Sequence, residues 1–193
     1  MDILICGVGG QGTVLASRLL AWIAMEKGQT ARTAETIGMA QRGGSVVSHV
    51  RTGTEIFSPL IPKGGADAIL ALEPAEAVRC YPYLKPDGAM LVNQTPIQPI
   101  TASLAGKPYD ADAMLQALQT THAAVHTIDG EAICRACGSP RVLNTAMLSA
   151  AVRLGLLDST ADDLRAAILH GTREKFHALN LRTIAYILEE ATL

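Results

Sequence analysis

The chain has 193 residues, of which 49% are apolar, 18% charged and 4% aromatic, with a net charge of −2. That balance excludes a disordered chain, favours one domain with a sizeable core, and offers no electrostatic reason to expect nucleic acid as a partner. No apolar run approaches the roughly 20 residues of a membrane helix, and the opening Asp2-Ile-Leu-Ile-Cys6 carries no basic leader, so a cytoplasmic protein is expected.

Residues 2–6 read as a short buried strand. A glycine cluster follows, and residues 13–27 form a helical stripe through Leu15, Leu19, Trp22 and Ile23 that Gly28 ends. Residues 31–36 and the β-branched 45–51 read as strands. Residues 68–72 make another, and Pro74 suits the first turn of a helix. Pro86-Asp87-Gly88 reads as a turn before a strand over 89–92. The stretch from Asn93 to Tyr109, with Pro96, Pro99 and Pro108, reads as a surface connection. Asp110 caps a helix carrying Met114, Leu115 and Leu118, and residues 125–128 are the last strand. Ser139-Pro140 opens a helix through Leu143, Met147, Ala150 and Leu154 that Gly155 closes. Thr160-x-x-Asp163 is a capping-box pattern, and a final helix spans 174–191. Strands alternating with helices imply an α/β fold of Rossmann-like type. Its sheet is mostly parallel, covered by helices on both faces, with extra helices from the C-terminal third.

Cys6 lies in an apolar run and reads as a small core residue. Cys134 and Cys137 form a lone CxxC; without a second pair they read as incidental thiols rather than a metal or cluster site. His122 and His126 have i,i+4 spacing but no third ligand nearby, so that spacing reads as chance. His49 reads as a packed or edge histidine.

Gly7, Gly9 and Gly12 fit G-x-G-x-x-G between a strand and a helix, where free N–H groups and the helix dipole suit an anion. One reading is a dinucleotide site, with Glu35 meeting the ribose. The other is that the glycines only let strand and helix pack closely. Residues alone leave both open.

The Gly9-Gly10-Gln11-Gly12 variant resembles the gamma domain of the 2-oxoacid:ferredoxin oxidoreductases. Gln41-Arg42-Gly43-Gly44-Ser45 and the following His49-Val50-Arg51 are most similar to the small-subunit chains of the indolepyruvate branch. Leu72-Glu73-Pro74-Ala75-Glu76, Asn93 and Asn144-Thr145 also fit, so the resemblance spans nearly the whole chain, 1–193, as one gamma-type domain. It implies a subunit, inactive alone, of an enzyme that oxidatively decarboxylates a 2-oxo acid to an acyl-coenzyme A and reduces ferredoxin. Thiamine diphosphate, magnesium, [4Fe-4S] clusters and coenzyme A would be handled through a large partner subunit, none of them bound by this chain. The resemblance places no catalytic residue and no metal ligand here. Its candidate ligand or interface residues are Gly7, Gly9, Gly10, Gln11, Gly12, Arg42, Gly43, Gly44, Ser45, Arg51 and Glu73. The arginines suit forked contacts to carboxylate or phosphate, or else ordinary ion pairs. The isolated chain is expected to self-associate as a homodimer through the surface meant for its partner. Two other readings stand beside this one: a self-sufficient NAD(P)-binding oxidoreductase, and a regulatory or assembly module that keeps the fold.

Overall fold

The computed structural model describes residues 1–37, 44–97, 109–121 and 123–191. Its strands are β1 (Asp2–Val8), β2 (Thr30–Ile37), β3 (Ser45–Gly53), β4 (Ala66–Ala71), β5 (Leu84–Asn93) and β6 (Ala124–Ile128). They form one sheet in the order β2-β3-β1-β4-β5-β6. β1, β4, β5 and β6 pair in parallel. β3 runs antiparallel to both its neighbours. The reason is connection length. Only residues 38–44 link β2 to β3, and a parallel crossover needs a dozen or more. The sheet is therefore mixed, although mostly parallel as the pattern of alternating elements predicts.

Seven α-helices occur among the described residues: α1 (Thr13–Glu26), α2 (Pro74–Cys80), α3 (Ala111–Gln119), α4 (Gly130–Cys137), α5 (Leu143–Arg153), α6 (Ala161–Gly171) and α7 (His177–Glu189). The alternation of side chains along each strand sorts them into two layers. Ile3, Ile5, Leu70 and Leu91 face α1 and α4–α7. Leu4, Cys6, Ile69 and Met90 face the smaller layer of α2 and α3. None of these helices is long and apolar enough to cross a membrane.

Local chemistry explains most ends. Asp110 accepts a hydrogen bond from the Ala113 N–H at 2.9 Å, and Thr160 and Asp163 form the reciprocal capping box. Ser139 caps a single 3-10 turn, Pro140–Val142, which runs into α5. Two expectations need correction. Pro86-Asp87-Gly88 lies inside β5, where the pairing jumps from Ala66–Leu84 to Ala68–Ala89, so the expected turn is a bulge in a longer strand. Helix α4 was not expected; Asp129 caps it by accepting from the Ala132 N–H.

Candidate site at the carboxyl end of the sheet

β1 hands its chain to α1 on one layer, and β4 hands its chain to α2 on the other. The two connections diverge at the carboxyl ends of neighbouring parallel strands, where open α/β sheets form a crevice. A cleft of about 420 Å³ opens there, between Gly9–Gln11 on one side and Gly130, Cys134 and Leu143 on the other.

Side-chain carboxamides brace this end of the sheet. Gln11 folds back over its own loop. Its Oε1 accepts from the Val8 N–H at 2.8 Å, and its Nε2 donates to the Leu72 carbonyl at 2.8 Å. Gly7 makes room for that fold: a Cβ there would lie 2.6 Å from Gln11 Oε1. Asn93 is 1% exposed and equally committed. Its Nδ2 donates to Leu72 O at 3.0 Å, while its Oδ1 accepts from Gly130 N–H at 3.0 Å and Thr95 N–H at 3.3 Å. Asn93 thus ties β4, β5 and the start of α4 together.

Buried carboxylates stand behind the loop. Glu73 caps α2, its carboxylate accepting from the Glu76 N–H at 3.1 Å. It also accepts from Ile97 N–H at 3.4 Å and from the Tyr109 hydroxyl, so it gathers residues on either side of the 98–108 connection. Burial, aided by the charge of Glu76, pushes the Glu73 carboxyl above the usual range despite those donors. Ser45 donates to Glu76 Oε2 at 2.6 Å, and Gly9 N–H donates to Gly44 O at 2.9 Å, which draws the start of β3 to the glycine loop.

The candidate residues therefore separate. Gly7–Gly12, Gly44, Ser45 and Glu73 come together at this end. Gln41, Arg42 and Gly43 lie outside the described residues. Arg51 does not join them: β1 and β3 are antiparallel, Val8 faces Ser45 and Asp2 faces Arg51, which places Arg51 roughly 20 Å away at the opposite end of the sheet. There its Nε donates to Asp2 Oδ1 at 2.9 Å, and it also donates to the Ser58 and Leu60 carbonyls. It is a structural brace.

The dinucleotide reading loses its geometry. β3 stands between β2 and β1, so Glu35 sits two strand spacings, roughly 10 Å, from the strand that leads into the glycine loop. Its carboxylate accepts from Ser17 on α1 at 3.1 Å instead. Gln11 lies over Gly7 within the loop itself.

The remaining chemistry-bearing residues are quiet. Cys134 lines the cleft, but burial and the neighbouring Cys137 push its thiol up to about 11, so it stays protonated at neutral pH. Cys6 is fully buried, and its contact with Cys80 and its burial raise its pKa well above the usual thiol value. His49 is buried, and its Nδ1 accepts from Ile61 N–H at 3.1 Å, which matches the expected packed histidine. His126 is on β6, and His122 lies outside the described residues. Among the described residues no three His, Cys, Asp or Glu side chains converge as a metal would require.

Residues 2–190 match the family described as pyruvate ferredoxin/flavodoxin oxidoreductase. The chain belongs to this family. A relative, the indolepyruvate oxidoreductase subunit IorB of Archaeoglobus fulgidus, is 36% identical over 186 residues, covering 95% of this chain and 92% of the relative. The protein of the same name in Methanothermobacter thermautotrophicus is 32% identical, covering 94% of this chain and 92% of its own length. The crystal structure of the keto/oxoacid ferredoxin oxidoreductase gamma subunit from Geobacter sulfurreducens superposes with a TM-score of 0.69 at 25% identity, over 97% of this chain and 96% of that one. Within the family the chain is thus of the gamma, small-subunit type, as the Gly9–Gly12 and Gln41–Arg51 motifs suggest.

Two features of the site escaped sequence reasoning. Tyr109 closes on Glu73 across 36 positions, and Ser45 closes on Glu76 across 31. No local pattern marks either pair.

Proposed function

We propose that this chain is the small subunit of a thiamine-diphosphate-dependent 2-oxoacid:ferredoxin oxidoreductase whose substrate is indolepyruvate or a related aryl pyruvate. The reaction of the complex releases carbon dioxide, joins the remaining acyl group to coenzyme A, and passes two electrons to ferredoxin. The small subunit packs on the large one, as one gamma-type domain, and helps enclose the active site there. Thiamine diphosphate, magnesium and [4Fe-4S] clusters belong to the large subunit in this reading. The observation that carries it is the near full-length similarity to proteins named indolepyruvate oxidoreductase subunit. The braced cleft supports it: the side chains of Gln11 and Asn93 are spent on backbone groups, which suits a rigid wall better than a reacting centre.

The test is 2-oxo-acid-dependent reduction of viologen by the large subunit, with thiamine diphosphate and coenzyme A, with and without this chain. Turnover only when both are present is the expected result, and a panel of oxo acids then names the substrate. A large subunit that is fully active alone, or that does not bind this chain, sinks the reading.

A further inference from the structure

Four chain segments meet at the cleft of about 420 Å³: the glycine loop after β1, the end of β5, the start of α4 and the turn into α5. That volume falls in the range of small-molecule pockets, about 300–1,000 Å³. Its chemistry follows from where the polar groups of its wall have gone. The start of a helix ordinarily presents free N–H groups to an anion. At α4 they are spent. Gly130 N–H donates to Asn93 Oδ1 at 3.0 Å, Glu131 N–H to Thr95 Oγ1 at 3.2 Å and Ala132 N–H to Asp129 Oδ1 at 2.9 Å. In the glycine loop, Gly9 N–H donates to Gly44 O and Gln11 N–H to Val8 O. Both ends of the Gln11 and Asn93 carboxamides are taken as well.

What is left to line the cleft is apolar. Ile97, Pro140 and Leu143 do so, together with the Cys134 thiol, which is protonated at neutral pH. Gly9 and Gly10 add bare backbone, and a Cβ on Gly10 would meet nothing within 4 Å. Glu131 is the one charged residue among the described residues lining the cleft; its side chain is 60% exposed and pairs with Arg135 at 3.3 Å. No cation is among those residues. A phosphate, carboxylate or sugar placed inside would give up its water to a wall whose carboxamides and helix-start N–H groups are already bonded, and such a loss is costly. An uncharged ring gives up nothing of that kind and gains contact with apolar side chains and flat peptide backbone.

We infer that this cleft binds the uncharged aromatic ring of a small-molecule ligand. Ile97, Pro140 and Leu143 supply the apolar contacts, Gly9 and Gly10 the flat backbone surface, and polar substituents of the ligand stay at the open mouth in water. The inference goes beyond the oxidoreductase reading and does not rest on it, because binding of the ring needs no turnover.

The experiment is an NMR titration of the full chain with indole as the neutral ring and, separately, with inorganic phosphate. Saturable one-to-one shifts are expected with indole at the amides of Gly10 and Glu131 and at the methyl groups of Ile97 and Leu143. Phosphate should produce none of them. Ile97→Ser, at a residue 39% exposed, removes apolar contact without touching the core and should weaken indole binding roughly tenfold. Cys134→Phe places a ring in the cleft and should abolish saturation. Leu169→Ser on α6, at an exposed residue that does not line the cleft, is the unaffected control. The titration is then repeated on the complex with the large subunit. Indole that still binds there supports a ligand site. Indole that is excluded shows that the partner covers the cleft and overturns the inference. It is also overturned if the indole shifts do not saturate, if phosphate produces the same shifts, or if Ile97→Ser and Cys134→Phe leave the affinity unchanged. No arm measures turnover, so failure here is separate from failure of the proposed enzyme role.

Discussion

The two ends of the sheet are held by different chemistry. At the carboxyl end, Gln11 and Asn93 hold backbone groups with neutral carboxamides, and Asn93 is almost fully buried. At the amino end, ion pairs do the holding: Arg51 with Asp2 at 2.9 Å, and Lys85 with Asp67. Those four side chains are between 18% and 36% exposed. The difference follows from desolvation. A carboxamide can be buried if each end finds a partner, whereas a buried charge must recover several kcal/mol of hydration. The wall of the crevice is therefore braced mainly by carboxamides, with Glu73 and Glu76 buried behind it on backbone and hydroxyl donors, while the ion pairs sit at the other end where water still screens them.

Breaking the carboxyl end should cost most. Asn93→Leu leaves the Gly130 and Thr95 N–H groups without their acceptor, and a loss of about 2–4 kcal/mol is expected in urea unfolding. A loss below about 1 kcal/mol would show that water replaces the carboxamide freely.

Next comes Gly7→Ala, expected to cost about 2 kcal/mol because the new methyl displaces Gln11. A double-mutant cycle sharpens this: in a Gln11→Ala background the Gly7→Ala penalty should fall by at least about 1 kcal/mol. Additive losses would mean that Gly7 is needed for something other than Gln11.

The pH dependence of His49 is a smaller effect. Its Nδ1 accepts a hydrogen bond in the folded chain, so the folded imidazole is neutral, and burial lowers its pKa from the ordinary 6.5. As pH falls through about 6.5 the unfolded chain takes up a proton that the folded chain refuses. The stability present above pH 6.5 is therefore lost progressively towards the lower folded pKa, with a slope of at most about 1.4 kcal/mol per pH unit. His49→Gln should flatten that slope in unfolding curves at pH 5–7; an unchanged slope would assign it to another group.

The smallest effect is expected at the amino end. Asp2→Asn, which removes one partner of Arg51, should cost less than about 1 kcal/mol in 0.15 M salt and leave turnover of the assembled complex unchanged. A larger cost would place that ion pair on a par with the carboxamides and erase the contrast.

Much of the fold was legible because its causes are local. The apolar run Ile3–Cys6 and the β-branched Ser45–Arg51 lie on strands as expected, and Asp110, Ser139 and Thr160 cap as their residue types predict. Helix α4 was missed because Ile133 and Cys137 are its only fully buried apolar side chains, too few to mark a stripe. Pro86-Asp87-Gly88 was misread because a bulge and a turn use the same residues, and only pairing with β4 tells them apart. Arg51 was grouped with the glycine loop through the resemblance of the Gln41–Arg51 segment alone; antiparallel pairing of β3 carries it to the other end of the sheet.

Element type, layer order and family could be read from residues within a few positions of one another, since caps, alternation and short motifs act over one or two turns. The site could not. Gln11 meets Leu72 across 61 positions, Asn93 meets Gly130 across 37, and Asn144 meets Gly12 across more than a hundred. A carboxamide looks the same in sequence whether it faces water or spends both ends on buried backbone. Only the closing of the sheet decided which ones were taken out of solvent and what each had to hold.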